Sequence, residues 1–477
     1  MNTILQSYKL IQPHVSVSII QTGDKNIRYE LSKPEISPAN QILFQKILSL
    51  LNDSFNPELF ESNPAGSDSK AEPNSKEEVL VEKISEILKL YSIRLSDEDL
   101  DVLHYYIRRD FYGFGILQPL LEDTNIEDIS CSGGNLPIYI FHKDYGSVPT
   151  NLILSESEAD GLVRKMAQCS GKQISVAEPM TDATLPDGSR AMLTLGSEIT
   201  TKGSTFTIRR FNEKPFLPEE LVLNETFTAE MMAYLWLCAE SNMNLMFAGG
   251  TASGKTTSLN AVCRFIPADK KIVSIEDTRE INLPHLNWIS GVSREKQKSS
   301  NDEKAVGDVT LYDLLKASLR QRPEYILVGE IRGSEAYVLF QAMSTGHTTV
   351  STMHAESVDT LIHRLENPPM NVPRVMIQTL DVLVVLAQTE DEGRFSKKCL
   401  SIYEILETDP QTSEILTQEI FNRNQSDAVN LKKSAVLDKT RIRRGWTFEK
   451  LENEFNERVG ILKSHENVSR FEIRGDE

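Results

Sequence analysis

Apolar residues recur along this chain at two spacings, and the spacing changes with position. Val79, Leu80, Ile84, Ile87 and Leu88, then Leu100, Val102, Leu103, Tyr106 and Ile107, repeat every three or four residues and predict two helices. Between Gly113 and Phe211 the runs shorten and are bounded by turn residues. Strands are expected at 126–131, 138–142, 185–195 and 205–211, with a helix over 155–169. Pro215 and Pro218 mark a hinge. Beyond it, strands expected at 245–248, 272–275, 325–328, 347–351 and 382–387 alternate with helical patterns, notably 229–240 and 255–265. Buried strands alternating with amphipathic helices predict an α/β fold with a mostly parallel sheet covered on both faces.

These patterns divide the chain. Residues 1–51 hold short apolar patterns with no assignment. Residues 52–77 shift to Asn, Ser, Pro, Gly, Glu and Asp, the chemistry of a flexible linker. A smaller α+β domain with leading helices is expected over 78–214, and a nucleotide-binding core over 219–390. A mixed C-terminal region follows over 391–477, with a strand pair near 400–406 and a helix near 448–463. The polar stretch 298–308 is expected to be a mobile loop.

Composition narrows the function classes. The 477 residues carry a formal net charge of -18, which argues against a general nucleic-acid binder. Five scattered cysteines without a CxxC pair point to a reducing, cytosolic setting and give no zinc knuckle. No apolar stretch reaches the roughly eighteen residues of a membrane span. The best candidates are broken by Glu240 or preceded by Asp381, and the first residues lack a signal peptide's basic start and apolar core. A membrane role would be peripheral.

The strongest chemical signal is G-G-T-A-S-G-K-T at 249–256, between a predicted strand and a predicted helix. Such a loop cradles nucleotide phosphates: Gly249, Gly250, Thr251, Ala252, Ser253 and Gly254 offer backbone N–H groups, helped by the start of the helix at Thr256 and Thr257. Lys255 would reach the β/γ oxygens of ATP, and Thr256 would ligate Mg²⁺. Hydrolysis also needs a water-orienting carboxylate and charge neutralisation. Glu276, Asp277 and Glu280 follow one predicted strand, and Glu330 follows another, where it could bind Mg²⁺ through water. The first group could instead be a solvated acidic turn, and Glu330 a plain strand-end glutamate. His347 and His354 bracket a β-branched strand, and both are expected to reach or sense a γ-phosphate, although each could be structural. They are too far apart for a local metal pair.

The order of these segments resembles the type II/type IV secretion-system motor ATPases. E-D-T-R-E at 276–280, R-P-E-Y-I-L-V-G-E-I-R-G at 322–333 and T-G-H-T-T-V-S-T-M-H-A at 345–355 look like that family's Asp box, Walker B and His box. The G-E ending of Walker B separates the chain from AAA+ proteins and RecA recombinases. Upstream, G-F-G-I-L-Q-P at 113–119, A-T-L-P-D-G-S-R at 183–190 and F-T-I-R-R-F at 206–211 resemble the archaeal members. Glu324 stands where the family often has aspartate, and the four-cysteine zinc insertion of bacterial export members has no counterpart here.

The resemblance implies a RecA-like core after a PAS-like N-terminal domain. It implies Glu276 as the catalytic carboxylate, with Glu280 the alternative, and Glu330 supporting Mg²⁺. It implies His347 and His354 as links between nucleotide state and sheet, and Arg190, Arg209 and Arg210 as phosphate contacts; for these arginines, surface ion pairing is the other reading. It further implies a homohexamer on the inner face of the cell membrane, docked on an integral platform protein and driving a pilus-like or archaellum filament. A conjugation-type translocation motor and a nucleotide-gated scaffold with little turnover are the rivals. The basic run Lys439, Arg441, Arg443 and Arg444 is either a contact for a platform loop or anionic lipid, or a solvated face.

Overall fold

The computed structural model describes residues 3–23, 26–54, 73–91, 93, 95–211, 215–294, 308–391, 394–409, 411, 414–423 and 431–464. The chain divides into two compact units, Met1–Phe211 and Asn212–Glu477. Most of 52–77 and of 298–308, read above as linker and mobile loop, lies outside the described residues.

The first unit opens with strands β1 (Thr3–Ile11), β2 (Val15–Gln21) and β3 (Ile27–Ser32). Helices α1 (Pro38–Ser54), α2 (Pro73–Leu90), α3 (Asp97–Phe111) and the short α4 (Gln118–Glu122) follow. Then come β4 (Ile126–Cys131), β5 (Pro137–His142), β6 (Gly146–Ile153), α5 (Glu156–Cys169), β7 (Met180–Thr184), β8 (Arg190–Thr194) and β9 (Thr205–Arg209). The nine strands form one sheet in the order β1-β2-β3-β6-β5-β4-β9-β8-β7. Residues 1–51, which have no assignment from sequence, thus supply three of its strands. Asp123 ties them in: it is 1% exposed and accepts from the hydroxyls of Tyr8 (2.5 Å) and Tyr29 (2.7 Å), so a buried carboxylate crosslinks β1 and β3 to the α4–β4 turn.

The apolar run 185–195 is not one strand. Asp187 Oδ1 accepts from the Ser189 N–H, and Gly188 turns with φ +86°, so β7 and β8 form a hairpin around this Asp-Gly pair. α5 starts at a capping box in which Ser155 and Glu158 satisfy each other's backbone N–H groups.

The second unit contains α6 (Pro218–Leu223), α7 (Ala229–Glu240), β10 (Leu245–Gly249), α8 (Lys255–Cys263), β11 (Ile272–Glu276), β12 (Trp288–Val292) and α9 (Leu311–Leu319). It continues with β13 (Tyr325–Ile331), α10 (Glu335–Ser344), β14 (Thr348–Met353), α11 (Val358–Glu366) and α12 (Arg374–Ile377). Last come β15 (Val382–Asp391), β16 (Arg394–Thr408), β17 (Ile415–Asn422), α13 (Ala435–Arg443) and α14 (Phe448–Ser464). The sheet order is β12-β11-β13-β14-β10-β15-β16-β17, parallel through β15 and antiparallel beyond it. It is an α/β, RecA-like fold with apolar clusters on both faces.

Described elements beyond residue 391 pack with this core. β16 and β17 extend its sheet, while Val436, Leu437, Leu451, Phe455 and Leu462 of α13 and α14 join the same apolar cluster as α7. α7 is apolar nearly all round because it is covered on every side. Among the described residues, no helix is long and apolar enough to cross a membrane.

Candidate functional site

The phosphate loop leaves the buried strand β10 and enters α8. Gly249 has φ +159°, and a Cβ there would lie 2.3 Å from the Leu386 carbonyl oxygen and 2.5 Å from Ser253 Oγ. Ala252 and Gly254 have φ of +59° and +86°. Ser253 Oγ donates to the Gly250 carbonyl at 2.8 Å, closing the loop on itself. Lys255 Nζ, largely buried, donates to the carbonyls of Gly249 (3.1 Å) and Gly250 (2.7 Å). Thr256 and Thr257 are half-buried in the first turn of α8, while Thr251 is exposed. The loop therefore has its phosphate-cradling curvature built in, with a lysine ammonium folded across it, and these residues fit a nucleotide's phosphates.

Because β10, β11, β13 and β14 run parallel, their carboxyl ends share one edge of the sheet, the edge where open α/β sheets bind ligands. A register irregularity separates Val328 from Ile331, and Glu330 sits within it. Its Oε2 accepts from Arg332 at 2.5 Å, and its Oε1 lies 3.1 Å from His354 Nε2, off the hydrogen-bond direction. Burial opposes the Glu330 charge, but Arg332, His354 and Lys255 outweigh it and hold the carboxyl below its ordinary range. Burial and the Lys255 charge push the His354 imidazole down. Arg364 of α11 donates to the His354 carbonyl and holds the strand end.

Glu276 differs from expectation. It is 1% exposed, with Oε1 accepting from the N–H groups of Glu280 and Ile281, both at 2.8 Å. Its other oxygen is buried without a hydrogen bond, and its Cγ would lie 3.1 Å from a Cβ on Gly329. Burial pushes this carboxyl up to about 7 although both N–H groups favour the charged form. Glu276 therefore shapes the turn that carries Glu280. Glu280 itself is half-buried, and Asp277 is exposed.

His347 lies apart from Lys255 and Glu330. It precedes β14 while His354 follows it, so seven residues, about 23 Å at strand rise, separate them. His347 contacts Thr345 Oγ1 at 3.2 Å on the amino edge of the sheet, where the next residue's N–H bonds the Glu324 carbonyl. Only His354 joins Lys255 and Glu330.

A family model described as "Type II/IV secretion system protein" matches residues 160–419, more than half of the chain. The chain belongs to that family. It is 39% identical over 330 residues to one uncharacterised protein of Methanocaldococcus jannaschii, covering 69% of this chain and 59% of that one. It is 46% identical over 211 residues to a second from the same organism, covering 44% and 76%. A probable conjugal transfer protein TrbB of Sinorhizobium fredii is 28% identical over 313 residues, covering 62% and 90%. The chain thus spans under two thirds of the length of the first of these relatives.

In this type II/IV secretion family member, the three arginines singled out from sequence lie on the first unit. Arg190 and Arg209 are exposed and directly opposite each other on β8 and β9, with Asp182 3.5 Å from Arg190 and Asp128 opposite Arg209. Arg210 turns inward. Its guanidinium donates to the carbonyls of Asp123 and Ile126, so it is structural rather than available to a phosphate. Sequence reasoning gave no role to Arg332 or Arg364. Arg332 stood inside the quoted Walker B segment, whereas nothing in the spacing pointed to Arg364, ten residues after His354.

Proposed function

We propose that this chain is an ATP-hydrolysing motor subunit of a type II/IV secretion-class machine, of the translocating, conjugation-like type. The observation that carries the reading is the gathering of Lys255, Glu330 and His354 at the carboxyl edge of the sheet beside a glycine loop already curved for phosphate. Lys255 meets the β/γ oxygens, exchanging its two loop carbonyls for phosphate. Thr256 and Glu330 would hold Mg²⁺, which supplies charge neutralisation at those oxygens. Glu280 orients the attacking water, and Glu276 holds the Glu280 turn. His354, largely neutral beside Lys255, donates toward the γ-phosphate and couples its loss to β14. Arg190 and Arg209, exposed and side by side on β8 and β9, offer two cations of the first unit to an anion.

The homohexamer, the integral membrane partner and the inner-face location belong to this proposal. The conjugal transfer relative supports translocation over filament assembly. The N-terminal motifs shared with archaeal members keep a pilus- or archaellum-type motor as the second reading. The net charge of -18 speaks against the motor itself gripping DNA. Glu330→Gln tests the reading: ATP affinity stays within a few-fold of wild type and phosphate release falls roughly a hundredfold or more. Unchanged turnover in that variant would sink it, and tight ATP binding with no turnover in the wild type would favour a scaffold.

A further inference from the structure

Strand β10 ends at Gly249, opposite Leu386, but β15 continues for five residues to Asp391. Its antiparallel partner β16 begins at Arg394, and Gln388 lies opposite Lys397. The β15–β16 hairpin therefore overhangs the carboxyl edge of the sheet beside the phosphate loop. Residues alternate faces along β16. Lys398 points to Glu225 at 3.7 Å, and the Cys399 N–H donates to the Thr226 carbonyl at 2.8 Å, which pins this part of the strand to the α6–α7 turn. Lys397 faces the other way, onto the loop. Its Cδ, Cβ and Cγ lie 3.3, 3.7 and 3.9 Å from where a Gly254 Cβ would stand. Gly254 is the N-cap of α8 with φ +86°, so the lysine stem is laid along the point where the loop becomes helix.

We infer that Lys397 is a second nucleotide-contacting lysine, which binds the α- and β-phosphates that the start of α8 receives. The inference rests on the nucleotide-binding reading above. Lys255 rises from within the loop and serves the β/γ side. Lys397 reaches the loop from a different strand, with its methylenes packed on Gly254 and a compact charge at the end of a four-carbon stem. The overhanging hairpin forms the outer wall of the phosphate site. A contact to the α/β side is equal in ATP, ADP and the transition state, so it raises affinity without speeding the chemical step.

The test uses the full chain and three variants: Lys397→Met keeps the stem and removes the charge, Lys397→Arg keeps the charge, and Lys255→Ala is the reference. Dissociation constants for ADP and AMP are measured by calorimetry, with steady-state phosphate release and a thermal melt for each protein. The expected result is a roughly tenfold weaker ADP affinity and a matching rise in KM for Lys397→Met, with kcat within twofold and the melt unchanged. Lys397→Arg recovers most of the affinity. AMP loses less than ADP. An ADP affinity within twofold of wild type in Lys397→Met would overturn the inference while leaving the motor reading intact. Equal losses in Met and Arg would also overturn it, because packing and not charge would then carry the effect. If wild-type protein binds no ADP, both readings fall together.

Discussion

Glu276 shows how one position answers to competing forces. Two N–H groups favour its charged form, yet burial dominates and raises the carboxyl to about 7. A folded-state value above the ordinary 4.5 means that the protonated form is the one stabilised. The stabilisation is therefore complete below pH 4.5 and is lost as pH rises through 7. The shift corresponds to roughly 3 kcal/mol. Glu276→Gln keeps an acceptor for Glu280 and Ile281 and removes the titration. In urea denaturation at pH 5 and pH 8, the variant should show a smaller loss of stability across that interval than wild type. An equal loss in both would mean that the carboxyl does not titrate as described. Gly249 makes the complementary case on the backbone: a methyl group 2.3 Å from the Leu386 carbonyl oxygen cannot be accommodated without moving β15. Gly249→Ala should abolish nucleotide binding in calorimetry while the separate apolar cluster of the first unit keeps that unit folded.

At the scale of elements, the carboxylate of Glu404 joins strand to helix. It is fully buried on β16 and accepts from Tyr234 Oη at 2.8 Å, from Ser434 Oγ and from the Ala435 N–H at 2.8 Å, capping α13 and binding it to α7. Glu404→Ala strands several buried donors and should cost roughly 3 kcal/mol or more. A chemical-denaturation change below about 1 kcal/mol would show that these bonds do not carry the junction. The basic run that follows is partnered too. Lys439 pairs with Asp381, Arg441 with Asp438, and Arg443 and Arg444 donate to the Ser241 and Glu240 carbonyls at the end of α7. The run is a solvated face, with Lys439, Arg443 and Arg444 exposed, and two of its arginines also reach the carbonyl end of α7, where cations are favoured.

The core strands were legible because each is a short run of apolar or β-branched residues between helical patterns, and the phosphate loop because its glycines have no cheap substitute. β1 to β3 were not. Their alternation is interrupted by polar residues, and the tie that seats them, Tyr8 and Tyr29 on Asp123, spans about a hundred residues. Of the site, Lys255, Glu330 and His354 could be read from motif order. The burial of Glu276 could not, because motif order does not say how deeply a strand-end side chain is packed.

For the whole molecule, two separately packed units carry the phosphate loop (the second) and the exposed Arg190 and Arg209 (the first). Arg190→Ala and Arg209→Ala should slow turnover while leaving binding of ADP largely intact, since their charge matters most as the transition state forms. Arg210→Ala should instead lower the melting temperature of the first unit, because its guanidinium holds the Asp123 and Ile126 carbonyls. The most direct test of the central claim is steady-state phosphate release from ATP and Mg²⁺ by the purified full chain beside Lys255→Ala. The account predicts sustained turnover in the wild type and background release in the variant. Equal rates in the two proteins, or no release from either at concentrations that allow assembly, would contradict it.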